Sequence, residues 1–234
     1  MKWAILLALI IVMVGCSAHT AQEVRQVKIG NVTIERTYHS SVKLEAEKTV
    51  YIDPFKIGDN DKADIILITH SHYDHCSIED IQKLVKPNTV IVTVPDCQSK
   101  LSTVLTRVAD VKLIEPGQKM DVDGIVIEAV PAYNIGKDAH PKENRWVGYI
   151  VTIGGKRVYH AGDSDLIPEM DNINADVAML PISGAYTMNP EEAADAANKI
   201  GAEVSIPIHY GSIVGTEEDA EKFKELVNGK VEII

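Results

Sequence analysis

The sequence predicts an α+β sandwich of the αββα type, in which two packed mixed β-sheets have helices on their outer faces. Two observations predict this fold class. Residues 27–55 are rich in β-branched side chains with partial alternation and are broken by turn residues, a pattern typical of antiparallel strands. Later in the chain, near-continuous apolar runs alternate with segments of helical spacing. Each sheet must bury its apolar face against another layer, so we expect two packed sheets covered by helices.

The first half contains a buried strand followed by helical signals. Residues 63–70 form an almost continuous apolar run that ends in His70, as expected for a strand buried on both faces. Ser77, with Asp80 three residues later, is similar to a capping box, so a helix is expected over 77–86. The further elements predicted in this half are a strand over 88–94 and a helix over 97–105.

Capping residues and glycines delimit the elements of the second half. Asn189 is a helix cap, with Pro190 in the first turn and Gly201 just past the end. Thr216 is the cap of another helix, for which Gly229 is the expected stop. The predicted strands are 122–134 and 145–163, each folded at a glycine-containing turn, followed by 175–183, 202–211 and 230–234.

The first residues have the composition of an export signal. Residues 1–15 contain one lysine, an apolar run too short to span a bilayer comfortably, and a small residue directly before Cys16. This arrangement resembles the lipobox of bacterial-type lipoproteins, which implies cleavage before Cys16 and a lipid on its sulfur. We therefore expect residues 16–26 to be a tether and 27–234 a single domain, anchored at the cell membrane on its extracytoplasmic side. An uncleaved N-terminal anchor is the alternative.

The charge of the chain argues against one class of partner. The 234 residues include 34 Asp and Glu against 23 Lys and Arg, a formal net charge of −11. Nucleic acid binds proteins through basic patches, so it is not expected as a partner. A small anionic substrate is compatible with this balance, because a bound metal can supply local positive charge.

Two cysteines remain in the predicted domain. Export would permit a disulfide between Cys76 and Cys97. Two cysteines at ordinary spacing are weak support for a disulfide, however, and buried free thiols are common, so we expect two free thiols.

Residues 68–77, ITHSHYDHCS, concentrate metal-binding side chains directly after the predicted buried strand. His70 and His72 are two residues apart, so an extended chain would point both to one side. A turn after His72 would bring Asp74 and His75 to a second position. Imidazole and carboxylate together suit zinc, iron or manganese. We therefore expect residues 70–75, the metal loop, to bind metal rather than to be a solvated loop.

The HxHxDH pattern of the metal loop resembles the motif of the metallo-β-lactamase-fold hydrolase superfamily. Other segments match in order and spacing over nearly all of the predicted domain; they are YHSSVKLE, VYIDPF, VYHAGDSD and IPIHYG. Together they resemble a branch that includes ascorbate-6-phosphate lactonase-like enzymes and uncharacterised zinc-dependent hydrolases. The resemblance implies the metallo-β-lactamase fold and two divalent metal ions, with zinc favoured and manganese or iron as alternatives.

The resemblance also implies a role for each matching residue. The implied ligands are His70 and His72 for the first ion, Asp74, His75 and His209 for the second, and Asp163 between the two. Asp53, at the end of an early strand, would orient the metal loop without binding metal itself.

The third histidine of the first ion departs from the family pattern. Many members of the branch have a histidine where this chain has Asn134. An amide oxygen is a poor zinc ligand beside imidazole, and the nearest histidine is His140. A short excursion that contains Gly136 would bring His140 into the position, so we expect His140 to be the ligand, with Asn134 or water as the alternatives.

The remaining polar residues near the motifs are expected to support the site. An extended chain would point His160 away from Asp163, so His160 is expected to make a structural or supporting hydrogen bond. His39 matches a branch position near the mouth of the site. Tyr73 and Tyr210 are expected either to face substrate or to pack, and Cys76 to pack beneath the metal loop.

These residues favour hydrolysis of a small molecule. A hydroxide shared by two metal ions would cleave a lactone or other ester, a phosphodiester, or an amide, and Asp74 would orient it or carry its proton. The runner-up is a membrane-tethered metal-containing binding protein without catalysis. A third interpretation, a di-iron oxidoreductase, normally requires an attached electron-carrier domain, which the sequence lacks. The sequence does not indicate the oligomeric state.

Overall fold

The β-branched N-terminal segment forms the antiparallel part of a first seven-stranded sheet. A computed structural model describes residues 26–58 and 61–234. The strands of the first sheet, in their spatial order, are β1 (Gln26–Ile29), β2 (Val32–Tyr38), β3 (Ser41–Glu45), β4 (Thr49–Ile52), β5 (Ile65–Ile68), β6 (Val90–Thr93) and β7 (Asp110–Leu113). The first four strands are antiparallel, and β4 to β7 are parallel. The buried run after residue 63 therefore forms a central parallel strand, as predicted.

The second half of the chain forms a second seven-stranded mixed sheet. Its strands are β8 (Lys119–Val122), β9 (Ile125–Pro131), β10 (Val147–Ile153), β11 (Lys156–His160), β12 (Val177–Pro181), β13 (Val204–Ile208) and β14 (Lys230–Val231). The first four are antiparallel, and β11 to β14 are parallel. The predicted turns at Asp123-Gly124 and Gly154-Gly155 join β8 to β9 and β10 to β11.

Alternation along the strands divides the apolar residues between two cores. In β10, Val147, Tyr149, Val151 and Ile153 belong to the core between the sheets, whereas Ile150 belongs to the core under the helices. Successive side chains of a strand point to opposite faces, and the strands β9 to β12 contribute apolar residues to both cores. This layering confirms the predicted αββα sandwich.

Among residues 26–58 and 61–234, three α-helices cover the sheets, and their N-caps are the predicted residues. They are α1 (Ile78–Leu84), α2 (Pro190–Ile200) and α3 (Glu217–Leu226), capped by Ser77, Asn189 and Thr216. Asn189 and Glu192 form a complete capping box. In the described part of the chain, no helix is long and apolar enough to cross a membrane. The predicted signal and the lipidation site Cys16 lie outside the described residues.

Two helices differ in detail from their predictions. The helix expected over 97–105 is present, but as a 3₁₀ helix over Pro95–Thr103. No side chain caps its start and only Cys97 and Leu101 within it are buried, so little packing supports an α-helix there. α3 ends at Leu226 and not at Gly229, because Val227 turns to extended backbone and packs on the core under the helices.

The strand ends bring the predicted site residues to one edge of the sandwich. Asp53 directly follows β4, and the metal loop begins two residues after β5. Asp163 and His209 follow β11 and β13, which run in parallel with β12 between them. The two sheets are joined at this edge by backbone hydrogen bonds, such as that from Val147 N to Thr69 O (3.2 Å).

Candidate metal centre

The metal loop is anchored to the end of β4 by the buried carboxylate of Asp53. Asp53 accepts hydrogen bonds from Thr69 N (2.8 Å), Thr69 Oγ1 (2.6 Å) and His75 Nδ1 (2.7 Å). Asp53 has a φ of +48°, in the left-handed region. Such conformations are costly for residues other than glycine and persist where surrounding contacts enforce them. Asp53 therefore holds the metal loop from behind through these three hydrogen bonds.

A tight turn in the loop directs its ligands inward. The backbone N–H groups of His75 and Cys76 both donate to His72 O, at 3.1 and 2.8 Å. Tyr73, at the outside of this turn, is 66 % exposed, whereas Asp74 and His75 are buried. The turn gives the loop two inward-facing positions, one with His70 and His72 and the other with Asp74 and His75.

Asp163 lies at the centre of the cluster. Its Oδ2 is 3.3 Å from His140 Nε2, 4.0 Å from His70 Nε2 and 3.0 Å from His209 Nε2. Its Oδ1 is 3.4 Å from His75 Nε2. One carboxylate thus reaches side chains from the metal loop and from two other segments in the second half of the chain.

His140, and not Asn134, supplies an imidazole to the first group. The imidazoles of His70, His72 and His140 place nitrogen atoms within 4.8 Å of one another. Asn134 instead orients His140: its Oδ1 accepts from His140 N (3.1 Å) and from His140 Nδ1 (3.0 Å). The carbonyl of Tyr186 is a second acceptor near His140 Nδ1, at 3.1 Å. Two acceptors keep the proton on Nδ1, which leaves the Nε2 lone pair directed at the cluster.

The donor atoms fit divalent metal ions. His75, Asp163 and His209 form a second group, also within 4.8 Å. The Nε2 atoms of His70, His75 and His140 and the Oδ1 of Asp163 are buried and make no hydrogen bond in the described part of the chain. Buried polar atoms are rarely left without partners, and clusters such as these could hold a metal ion. Imidazole and carboxylate donors suit zinc, manganese or iron.

His39 lies inside the cluster, and not at its mouth. It is 1 % exposed, and its Nε2 is 3.7 Å from Asp74 Oδ2. Its ring packs on that of His209, with 3.9 Å between centroids. The expectation that His39 lies near the mouth rested on the resemblance to the branch, which did not indicate how deeply the β2–β3 turn places this side chain.

The other predicted supporting residues do not face the cluster. His160 Nε2 donates to Ser40 O (2.8 Å) and His160 Nδ1 accepts from Gly162 N (3.1 Å), so both ring nitrogens are engaged in structural hydrogen bonds. Tyr210 is fully buried with Arg36 over its ring, at 4.2 Å, so it packs rather than facing substrate. Cys76 and Cys97 are both free and buried.

Comparison with known proteins agrees with this geometry. Residues 40–210 match the model of the β-lactamase superfamily domain. A UPF0173 metal-dependent hydrolase from Thermococcus kodakarensis is 33% identical over 210 residues, which cover 84% of this chain and 92% of the relative. The chain belongs to the β-lactamase superfamily and, within it, to the UPF0173 metal-dependent hydrolases.

Two solved structures extend the likeness to three dimensions. A protein from Parabacteroides distasonis, which carries the name of a metal-dependent hydrolase, has a TM-score of 0.78 and 33% identity, covering 90% of this chain and 98% of that one. Igni18, a metallo hydrolase from Ignicoccus hospitalis, has a TM-score of 0.70 and 25% identity, covering 87% and 94%. The two-sheet architecture of this UPF0173 member is therefore that of its superfamily.

Electrostatics in this UPF0173 member favour the ligand forms of most of these residues. Burial lowers the pKa of His70 well below its ordinary value, and burial followed by His209 lowers the pKa of His39 to about 2. Burial would raise the pKa of Asp163, but His209 and His75 outweigh it and hold it well below the ordinary value. Neutral imidazoles and an ionised carboxylate are the forms that bind metal.

His75 is the exception among the imidazoles. Burial would lower its pKa, but the carboxylates of Asp163 and Asp53 outweigh burial and raise it well above the ordinary value. Both carboxylates contact its ring nitrogens, Asp53 at Nδ1 and Asp163 at Nε2. A metal ion at Nε2 would take the place of the proton there.

Sequence reasoning missed the residues that hold the imidazoles from outside. Ser183 Oγ lies 3.0 Å from His209 Nδ1, and Ser212 Oγ lies 2.9 Å from His39 Nδ1. Trp146 packs against the first group, with ring centroids 4.8 Å from His70 and 4.9 Å from His72. Serine and tryptophan have no spacing signal, and these contacts arise only from tertiary structure.

Proposed function

We propose that this protein is a hydrolase that uses two divalent metal ions, zinc first, to cleave a small-molecule lactone, ester or phosphodiester. The observation that carries the proposal is the carboxylate of Asp163, which lies between two groups of buried nitrogen donors. A single metal ion would need only one of these two groups of nitrogen donors. A shared carboxylate between two groups is the arrangement expected for a two-metal site.

The residues of the cluster are proposed as metal ligands, and one of them, Asp74, is also proposed to carry a proton. Bound at the two groups, the ions would supply a nucleophilic water of lowered pKa and would polarise the oxygen of the scissile bond. His70, His72 and His140 would hold one ion, Asp74, His75 and His209 would hold the other, and Asp163 would serve both. The Asp74 carboxylate is partly accessible, with 12 % of its side chain exposed. Asp74 can therefore also take a proton from the attacking water and return it to the leaving group.

Exposed apolar side chains on the loops of the cluster make a lactone or ester the first class to test. Tyr73, Ile135, Tyr186 and Ile213 are 66 %, 57 %, 49 % and 39 % exposed. Each lies on a loop that supplies or orients a side chain of the cluster: Tyr73 within the metal loop, Ile135 beside Asn134, and Ile213 beside Ser212. Exposed apolar groups around a polar centre suit a substrate with an apolar portion.

A substrate panel on defined metal forms tests the proposal. Protein freed of metal is reloaded with zinc, manganese or iron, and lactones, aryl esters, phosphodiesters and β-lactams are assayed. We expect turnover of at least one ester or phosphodiester that is lost in Asp163→Ala. Two bound ions with no turnover of any substrate would favour the runner-up, a metal-containing binding protein.

We also propose that the domain is exported and held at the membrane by a lipid on Cys16. The support is the signal-like composition of residues 1–15 and the small residue before Cys16. In a bacterial host, the wild-type protein is expected in the membrane fraction with a lipid-modified N-terminus, and Cys16→Ser is expected to lack the lipid. An intact, unmodified N-terminus on the wild-type protein, measured by mass spectrometry, would contradict this proposal.

A further inference from the structure

We propose that His39 is a ligand of the second metal ion, together with Asp74, His75, His209 and Asp163. This inference rests on the proposed two-metal function and adds to it a sixth imidazole from the β2–β3 turn. Each ion would then take three imidazoles: His70, His72 and His140 for the first, and His39, His75 and His209 for the second.

The hydrogen bonding of His39 is that of a ligand. Its Nδ1 is engaged by Ser212 Oγ at 2.9 Å, while its buried Nε2 makes no hydrogen bond in the described part of the chain. The same pattern, an outer nitrogen held by a neighbour and a free inner Nε2, occurs at His70, His75 and His140. His160, which is also buried, does not show this pattern, because both of its ring nitrogens have hydrogen-bond partners within the protein.

The position of His39 agrees with this role. His39, Asp74 and His209 offer donor atoms that all lie within 4.8 Å of one another. The Nε2 of His39 is 3.7 Å from Asp74 Oδ2, and the Nε2 of His75 is 3.5 Å from the same oxygen. One oxygen of Asp74 therefore lies between the two imidazoles, which places His39 beside the second group and away from the first.

The backbone holds His39 in this position at a conformational cost. His39 has a φ of +50° and His209 a φ of +60°, both in the left-handed region that disfavours residues other than glycine. Their backbones are joined by a hydrogen bond from His209 N to His39 O, 3.1 Å. Strained backbone of this kind clusters where function requires a fixed side chain. The link crosses from the second sheet to the first, so both sheets position the second ion.

The two sites then differ in the number of protein donors. The first has four, His70, His72, His140 and Asp163, whereas the second has five, His39, Asp74, His75, His209 and Asp163. Four donors suit tetrahedral zinc, whereas more donors that include two carboxylates suit an ion of higher coordination number such as manganese or iron. We therefore expect the second site to bind manganese more favourably, relative to zinc, than the first does.

The number of metal-bound imidazoles can be counted directly in the wild-type protein. The chain, loaded with two equivalents of cadmium-113, is examined by proton–cadmium correlation NMR, which detects only ring protons of coordinated histidines. We expect six coupled rings among the eight histidines, with His19 and His160 uncoupled. Five coupled rings, without that of His39, would overturn the inference and leave the two-metal function standing. Binding of a single ion would overturn both.

Variants assign the sixth ring and measure its contribution. His39→Gln should remove one coupled ring. Loss of an outer hydrogen-bond partner weakens metal binding about 10- to 100-fold, and His39→Gln should weaken binding of the second ion by more than that. Ser212→Ala removes only the outer partner, so it should keep all six rings. His160→Gln is the matched control, a buried histidine whose loss should leave metal affinity unchanged. Unchanged affinity for the second ion in folded His39→Gln would overturn the inference.

Discussion

At the residue scale, the candidate ligands that could be predicted are those whose signal is local. His70, His72, Asp74 and His75 lie within six consecutive positions, so their spacing alone indicated metal binding. His140 could be proposed only as the nearest replacement for a missing histidine. What places it is a backbone hydrogen bond from Asn134 N to His140 O, 2.7 Å, which closes an irregular loop. The role of Asn134 as the partner of His140 could not be predicted, because spacing does not show which of two side chains turns inward.

Substitutions at these two positions separate a ligand from its support. His140→Ala removes a donor of the first group, so the metal content should fall toward one ion per chain. Asn134→Ala keeps the imidazole but removes an acceptor of its Nδ1 proton, and should weaken metal binding about 10- to 100-fold while still allowing two ions at high concentration. Metal analysis after dialysis measures both. Two full equivalents in His140→Ala would refute the assignment.

At the element scale, capping signals located helix starts well and helix ends less well. Ser77, Asn189 and Thr216 cap helices as predicted, because their side chains accept hydrogen bonds from nearby backbone N–H groups. The end of α3 depends instead on packing of Val227, which no local signal indicates. Most strands followed the apolar pattern, since period-two alternation and buried runs are strong signals. The strand β7 was not predicted, because none of its residues is buried.

Asp80, in the first turn of α1, holds the segment after β4 by hydrogen bonds. The buried carboxylate of Asp80 accepts hydrogen bonds from Lys56 N (2.9 Å), Ile57 N (2.9 Å), Ser77 Oγ (2.6 Å) and Lys83 Nζ (2.9 Å). Asp80→Asn should lower the free energy of unfolding by about 2–3 kcal/mol at neutral pH, because charge-assisted bonds are lost. Chemical denaturation measures this change, and the exposed neighbour variant Glu79→Gln is the matched control.

The effect of Asp80 should depend on pH in a defined direction. Burial raises the pKa of Asp80, but hydrogen bonds from Ser77 and Lys83 outweigh it, so the net pKa lies below the ordinary value. A lowered pKa in the folded state stabilises the protein above the unfolded pKa of about 4, and the stabilisation is lost as pH falls through the folded pKa. The difference between wild type and Asp80→Asn should therefore shrink below about pH 4. A difference that grows in acid would contradict this account.

At the scale of the whole molecule, the metal centre joins the two halves of the sandwich. The first sheet supplies the metal loop and His39, and the second half supplies His140, Asp163 and His209. The fold class could be predicted because hydrophobic patterning acts over every strand. The sequence indicated only indirectly that the two halves meet at one edge of the sandwich. The indication was that polar candidate site residues follow several of the buried strands.

Metal removal should therefore destabilise the whole molecule. A metal ion present at a free concentration of 100 times its Kd stabilises the native state by about 2.7 kcal/mol. For a domain of this size, that stabilisation raises the Tm by about 5–10 °C. Calorimetry with and without chelator should show this decrease in wild type and a smaller one in Asp163→Ala. An unchanged Tm for wild type on chelation would indicate that the clustered residues hold no structural metal.

The central claim is that hydrolysis requires both ions. Its most direct test is the rate of hydrolysis of the best lactone, ester or phosphodiester substrate, measured while metal is added stepwise to metal-free protein. We predict a rate that rises to a plateau at two equivalents per chain, because Asp163 joins two groups of ligands. A plateau at one equivalent, or no hydrolysis at any occupancy, would contradict the two-metal account.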